Sequence, residues 1–203
     1  MNKIFIAAAA VVSSADLPAA RLGPRFGRLD LQSRLALLAV ASLKINFGGF
    51  ARDRTGICLA ASAGSLTTDF NFWQGRDSVG GPSPTLFAYT LPSSAAGEIA
   101  IHFGLTGPNL CFVGDDKNLL SEAADLIRRD EADGCLCVFC EVVSAEVAKI
   151  ISSPPAATAC ALFLQRMNLE TGVAISGSLH ELQEFDRDMK SRCALISRTK
   201  SAG

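Results

Sequence analysis

Apolar positions along this chain come in two rhythms that take turns. Short unbroken apolar runs are separated by stretches in which apolar residues recur every three or four positions, the marks of buried strands and of one-sided helices. Ile4 to Val12 is the first unbroken run. Lys3 before it and small residues after it give it something of the outline of a secretory signal, but the reading adopted is a buried first strand. Pro18 to Arg28, with two prolines, two glycines and three arginines, reads as a loop. Asp30 then caps a helix whose apolar positions are Leu31, Leu35, Leu38, Ala41 and Ile45, stopped by Gly48-Gly49. Gly56 to Ala61 reads as a strand, and Gly64 to Trp73 as a helix with Leu66, Phe70 and Trp73 inward. After the glycine and proline loop Gly75 to Pro84, Ser93 or Ser94 caps a helix that turns Ala95, Ala96, Ile99 and Phe103 inward. Gly97 on that helix is expected to allow close backbone approach, and Gly107-Pro108 turns the chain.

Leu110 to Val113 is a short strand. The next helix carries Leu119, Leu120, Ala123, Ala124 and Ile127 on one stripe and Lys117, Glu122, Asp125, Arg128 and Arg129 outside it. Cys135 to Val143 and Ala156 to Gln165 read as fully buried strands, and Val173 to Leu179 as a weaker last one. A helix suggested by Glu181 to Met189 lacks a clean stripe, and the tail from Arg198 is polar. Strands alternating with helices imply an α/β architecture with a mostly parallel sheet. The short turn near Glu170-Thr171-Gly172 suggests that the last two strands form an antiparallel hairpin at its edge.

Composition narrows the functional classes. At 203 residues and 49% apolar content, the chain suffices for one domain with a full core. A net charge of −1 without a long like-charged run gives no footprint for nucleic acid or a membrane surface. No run approaches the roughly 18 to 20 apolar residues that span a bilayer. Seven cysteines are present. Cys135 and Cys137 share one face of their strand and Cys140 takes the other. The Cys137-Val138-Phe139-Cys140 spacing has no second ligand pair for a metal. Reduced, buried, inert thiols in a cytoplasmic protein are expected.

From Ser83 to Ser144 one ordered set of motifs stands out. A Leu91-Pro92 turn is followed by Ala95-Ala96-Gly97, His102-Phe103-Gly104-Leu105 and Gly107-Pro108-Asn109, then by a short strand, a helix and Ala132-Asp133 ahead of the next strand. In this order they resemble the β-ketoacyl synthases of fatty-acid and polyketide assembly. The resemblance covers most of residues 3–180. It implies the first of the two similar halves of a thiolase-like fold, a mixed, mostly parallel sheet of five or six strands covered by helices. It also implies one domain over 1–203, with a core of about 3–180 and a polar C-terminal tail.

The centre of the motif departs from that family. Gly114, Asp115 and Asp116 stand where the family has a serine or threonine, an alanine and the nucleophilic cysteine. A carboxylate at position 116 cannot form the acyl thioester of condensation. The family's two catalytic histidines and its lysine belong to the second half, beyond this sequence, and His102 and His180 are read as structural or surface residues. Cys111, inside its strand, is read as a buried thiol that does not replace the lost nucleophile. The expectation is therefore a protein without condensing activity and without a catalytic residue, cofactor or metal.

Asp115 and Asp116 read structurally as caps that accept free backbone N–H groups at a helix start, and functionally as an acid/base pair or metal site for which the sequence places no third ligand. Two functions follow from the resemblance. The first is an accessory or chain-length-factor-like subunit that pairs, as homodimer or heterodimer, with a full-length ketosynthase through the Leu110–Val113 strand and serves an acyl carrier protein. The alternative is an acyl-thioester hydrolase or decarboxylase using Asp116 as base. A homodimer that has lost its function is a third reading.

Overall fold

The computed structural model describes residues 4–77, 79–114 and 118–166, with the backbone of 173–175. The elements run β1 (Ile4–Ser13), α1 (Leu31–Ser42), β2 (Thr55–Ala61), α2 (Leu66–Gln74), α3 (Pro84–Phe87), α4 (Ser94–Phe103), β3 (Asn109–Val113), α5 (Leu119–Arg128), β4 (Gly134–Val143), α6 (Ala145–Ile151), β5 (Ala156–Arg166) and β6 (Val173–Ile175). The strands form one sheet in the order β3-β2-β4-β5-β1-β6. β2 pairs in parallel with β3 and β4, whereas β5 is antiparallel to β4 and β1, and β6 is antiparallel to β1. It follows that β1 to β4 run one way and β5 and β6 the other, a mixed sheet with helices on both faces. The hairpin expected of the last two strands is not formed: β1 lies between them, so β5 is an interior strand with neighbours on both sides.

Alternation along the strands sorts the apolar side chains into two cores. One face packs Ile57, Leu59, Leu136, Val138, Ala161 and Phe163 beneath α1 and α4. The other packs Cys58, Cys135, Cys137, Cys160 and Leu162 beneath the Leu119, Leu120, Ala123, Ala124 and Ile127 stripe of α5. Cys135 and Cys137 thus share a face that excludes Cys140, as the period of two requires. None of the six described cysteines is joined in a disulfide. Cys58 Sγ lies 3.5 Å from Cys135 Sγ, and this thiol contact together with burial pushes the Cys58 thiol far above its ordinary value. Neither thiol is a nucleophile at neutral pH.

Local chemistry sets the helix ends. Asp30 accepts from Ser33 N at 2.9 Å, the cap expected from the sequence, and its other oxygen accepts from Thr68 Oγ1 at 2.8 Å. α1 stops at Ser42, short of Ile45, because Lys44 takes a left-handed conformation at φ 56. Trp73 does not face inward: it is 62% exposed, with the Arg76 guanidinium 4.2 Å over its ring. The buried side of α2 is held by Thr67 and Thr68. The Thr67 hydroxyl donates to Val142 O and accepts from Ser144 N, each at 3.0 Å.

Gly97 also departs from expectation, since a Cβ there would meet nothing within 4 Å. Gly97→Ala is therefore expected to stabilise the chain by about 0.5–1 kcal/mol through helix propensity, read as a rise in thermal midpoint.

At the end of the strands where the Gly107-Pro108 turn also lies, an ion-pair network ties the starts of β2 and β4 together. The Arg54 guanidinium forks onto Asp133 with two contacts of 2.8 Å, reaches Asp130 Oδ1 at 2.9 Å, and shares Asp130 with Arg166. Asp133 N in turn donates to Arg54 O at 2.8 Å. Arg54 holds the Asp133 carboxyl below its usual range. A folded-state value below the unfolded one adds stability that is complete above the ordinary carboxylate range and is lost as pH falls through the depressed value. Asp133→Asn should accordingly flatten the acid limb of a stability-against-pH curve. The difference from the parent should shrink in high salt because the pair is half-exposed.

Candidate functional site at the open edge of the sheet

β3 is the edge strand of the sheet, and its outer side has no strand beside it among the described residues. The ladder with β2 runs from Ile57 opposite Asn109 to Ala61 opposite Val113, with Ile57 N donating to Pro108 O at 2.8 Å and Gly114 N to Ala61 O at 3.4 Å. A parallel ladder uses alternate residues, so the N–H groups of Leu110 and Phe112 turn to β2 while those of Cys111 and Val113 turn outward. Such a row of outward donors is a template for another strand.

Apolar side chains rim the same edge. Val113 is 58% exposed and Leu91 is 64% exposed. Gly64, at φ +57, brings the loop after β2 against both Val113 of β3 and the Leu91-Pro92 turn. The Cβ position of Gly64 falls 3.1 Å from Val113 and 3.3 Å from Pro92. That loop is held by Glu141 near the end of β4, whose carboxylate accepts from Ser62 N at 2.9 Å and Ala63 N at 3.1 Å. Glu141 does not stand out in the sequence as part of a site. Glu141 is an isolated acid after an apolar run, and only the side-by-side placement of β2 and β4 shows what it holds.

The other candidates fall as follows. Asp115 and Asp116 lie outside the described residues, as does His180. The described α5 starts at Leu119 with Asn118 as its N-cap. His102 is exposed in the last turn of α4, its ring against that of Phe103 with centroids 4.7 Å apart. Cys111 is half-buried against the α1 and α4 core, and burial pushes its thiol up. The structure brings no histidine to it among the described contacts. No group of three or more metal-ligating side chains occurs among the described residues, and no described helix is long and apolar enough to cross a membrane.

Comparison with solved structures places this architecture. The ishigamide ketosynthase/chain length factor superposes with a TM-score of 0.67 at 20% identity, over 85% of this chain and 64% of that one. A chain of the ketosynthase ApeO in complex with its chain length factor ApeC from Xenorhabdus doucetiae gives 0.62 at 21% identity, over 92% of both chains. The AntDE:AntF complex, a type II PKS acyl-carrier protein with its hexaketide-bound ketosynthase, gives 0.65 at 13% identity, over 82% of this chain and 63% of that one. The chain therefore spans under two thirds of two of these structures and nearly the whole of the third. Comparison with curated protein sequences gives no match. The family model described as beta-ketoacyl synthase, N-terminal domain, matches residues 7–148. With that match over most of its length, and with the mixed sheet and motif turn in place, this chain belongs to the β-ketoacyl synthase N-terminal domain family.

Proposed function

We propose that this chain is a non-condensing, chain-length-factor-like subunit that pairs with a ketosynthase by adding β3 to the partner's sheet. The observation that carries this reading is the β3 edge, which no described strand covers, with its outward donors and its Val113 and Leu91 rim. Ketosynthases in complex with chain length factors among the structural neighbours support the choice of partner, and one such chain is matched over 92% of its own length. Asp116 in the position of the family's cysteine supports the loss of condensation, since a carboxylate forms no acyl thioester. The role is to brace the active synthase and limit the acyl chain it builds, with an acyl carrier protein as the shared substrate carrier, in the cytoplasm.

The test is co-expression with a full-length ketosynthase, followed by sizing chromatography. Val113→Pro removes an outward N–H and leaves the inward ladder intact, a change that edge strands tolerate. The variant is expected to keep its fold and lose co-elution with the synthase. Co-elution of the variant equal to the parent overturns the pairing. Asp116→Asn separates this reading from acyl-thioester hydrolysis or decarboxylation: turnover of an acyl thioester by the parent that the variant abolishes means that Asp116 acts as a base and the chain is an enzyme.

A further inference from the structure

Ser65 stands at the N-cap of α2, where a serine ordinarily accepts from an amide of the first turn, yet its hydroxyl caps nothing. It is turned across to the segment between α3 and α4. Ser65 Oγ lies 2.7 Å from Thr90 O, and 3.1 Å from Asp69 Oδ2 one turn along its own helix. The serine is buried.

A hydroxyl has one hydrogen, and a carbonyl oxygen can only accept. At 2.7 Å the Ser65 hydrogen is committed to Thr90 O, so Ser65 Oγ meets Asp69 Oδ2 with its lone pairs. That contact is attractive when Asp69 carries the proton: Oδ2–H donates to Ser65 Oγ, and Ser65 Oγ–H donates to Thr90 O. The other carboxyl oxygen agrees. Asp69 Oδ1 is buried with no hydrogen-bond partner among the described residues, which suits a neutral acid and penalises a carboxylate. Burial pushes the Asp69 carboxyl above its ordinary value, with the Ser65 contact pulling the other way.

The charged groups on the elements around α2 have other partners. Arg76 and Asp77, which follow the helix, pair with each other at 3.1 Å. α3 carries no charged side chain, and Tyr89 after it donates to Glu98, itself paired with Arg25. Glu141 of β4 holds the amides of Ser62 and Ala63, and Asp30 holds Ser33 N and the Thr68 hydroxyl. Glu146 and Lys149 of α6 attract each other. The α2 dipole favours a carboxylate, but it fades within the first turn, and among the described hydrogen bonds no amide reaches either Asp69 oxygen.

The α3–α4 segment is otherwise bonded to itself and to α4. Thr90 N donates to Phe87 O, Ser94 N to Leu91 O and Ser94 Oγ to Ala88 O. Among the described hydrogen bonds, Ser65 Oγ to Thr90 O is the one that ties it to α2. We propose that Asp69 is a proton-operated latch: as a neutral acid it relays through Ser65 and pins Thr90, and on ionisation it takes the Ser65 hydrogen and releases the turn that carries Leu91. Thr90 O is then left facing a lone pair. A folded-state value above the unfolded one gives stability that is complete below the ordinary carboxylate range and is lost as pH rises through the raised value, the reverse of Asp133. The latch acts within one chain and stands independently of the pairing across β3.

The test is a carbon NMR titration of the side-chain carboxyls in the full chain, with Asp69 assigned through its own bonded hydrogens. Exchange of the Thr90 and Ser94 amides is followed beside it, corrected for the intrinsic rate at each pH. Asp69 is expected to titrate above its ordinary value of 3.8, and protection of both amides to fall at least about threefold through the same midpoint. Asp69→Asn, whose side-chain amide donates to Ser65 Oγ at every pH, is expected to hold that protection flat. Titration of Asp69 at or below its ordinary value overturns the proposal, as does protection that ignores its ionisation or steps identically in Asp69→Asn. Should the variant fail to fold, the unaltered chain decides. The Thr90 carbonyl carbon should shift with the Asp69 midpoint, and a Thr90 signal that stays still or follows another group overturns the latch.

Discussion

Replacing Gly107 by alanine should lower stability by about 3 kcal/mol or more, with the thermal midpoint of this 203-residue chain falling by about 6–12 °C. A Cβ on Gly107 would sit 2.4 Å from Thr55 O, 2.7 Å from Thr55 C and 3.1 Å from Asp53 O, all backbone atoms. The turn cannot retreat from them. Thr106 N donates to Arg52 O and Ile57 N donates to Pro108 O, both at 2.8 Å, so the residues on either side of Gly107 are bonded to the chain on either side of Thr55. Relief of the clash requires the loss of those bonds or a shift of β2, which is buried along its whole length. Denaturant and thermal melts of Gly107→Ala beside Gly97→Ala make the comparison internal. The same substitution is expected to be destabilising at one motif glycine and stabilising at the other.

Gly134→Ala is expected to cost about 1–3 kcal/mol, by overpacking. A Cβ there would fall 2.6 Å from Phe163 Cζ and 3.3 Å from Leu164 O. A lone ring could swing away, but Phe163 is wedged against Phe50 and Phe47, with centroids 5.1 and 5.9 Å away in edge-to-face geometry. The test is a double-mutant cycle with Phe163→Leu, which shortens the group that is struck. The pair should lose about 1 kcal/mol less than the two single losses added together. Additive losses would mean that the strain lies with the Leu164 carbonyl instead.

How far these positions can be read from the sequence depends on whether their neighbours are local. Strands and helices whose signal is periodicity emerge nearly in place: the Leu119 to Ile127 stripe, the Asp30 cap and the alternation of Cys135, Cys137 and Cys140 all follow from spacing within one element. What fails is what depends on a distant partner. Gly97 and Gly107 are both motif glycines in the same segment, and only the backbone of Thr55 beside Gly107 separates an idle glycine from an indispensable one. Trp73 has helical spacing with Leu66 and Phe70, yet two threonines with partners on other elements took the buried side.

The place of β6 was hidden for the same reason, since a short connection suggests adjacency and β1 had already filled that position. At the candidate site, the edge character of β3 was implied by family likeness. The Glu141 grip on the loop after β2 needed the sheet order itself.

Among the described residues, the two rims of the sheet differ in the ladder they offer. β3 offers five residues and an apolar margin, whereas at the far rim β6 contributes a ladder of three residues beyond β1. Endless stacking of sheets requires an adhesive border on each side. With one adhesive border and one three-residue border among the described residues, the proposed pairing through β3 is expected to close at two chains, so crowding or overexpression should yield pairs in solution instead of filaments.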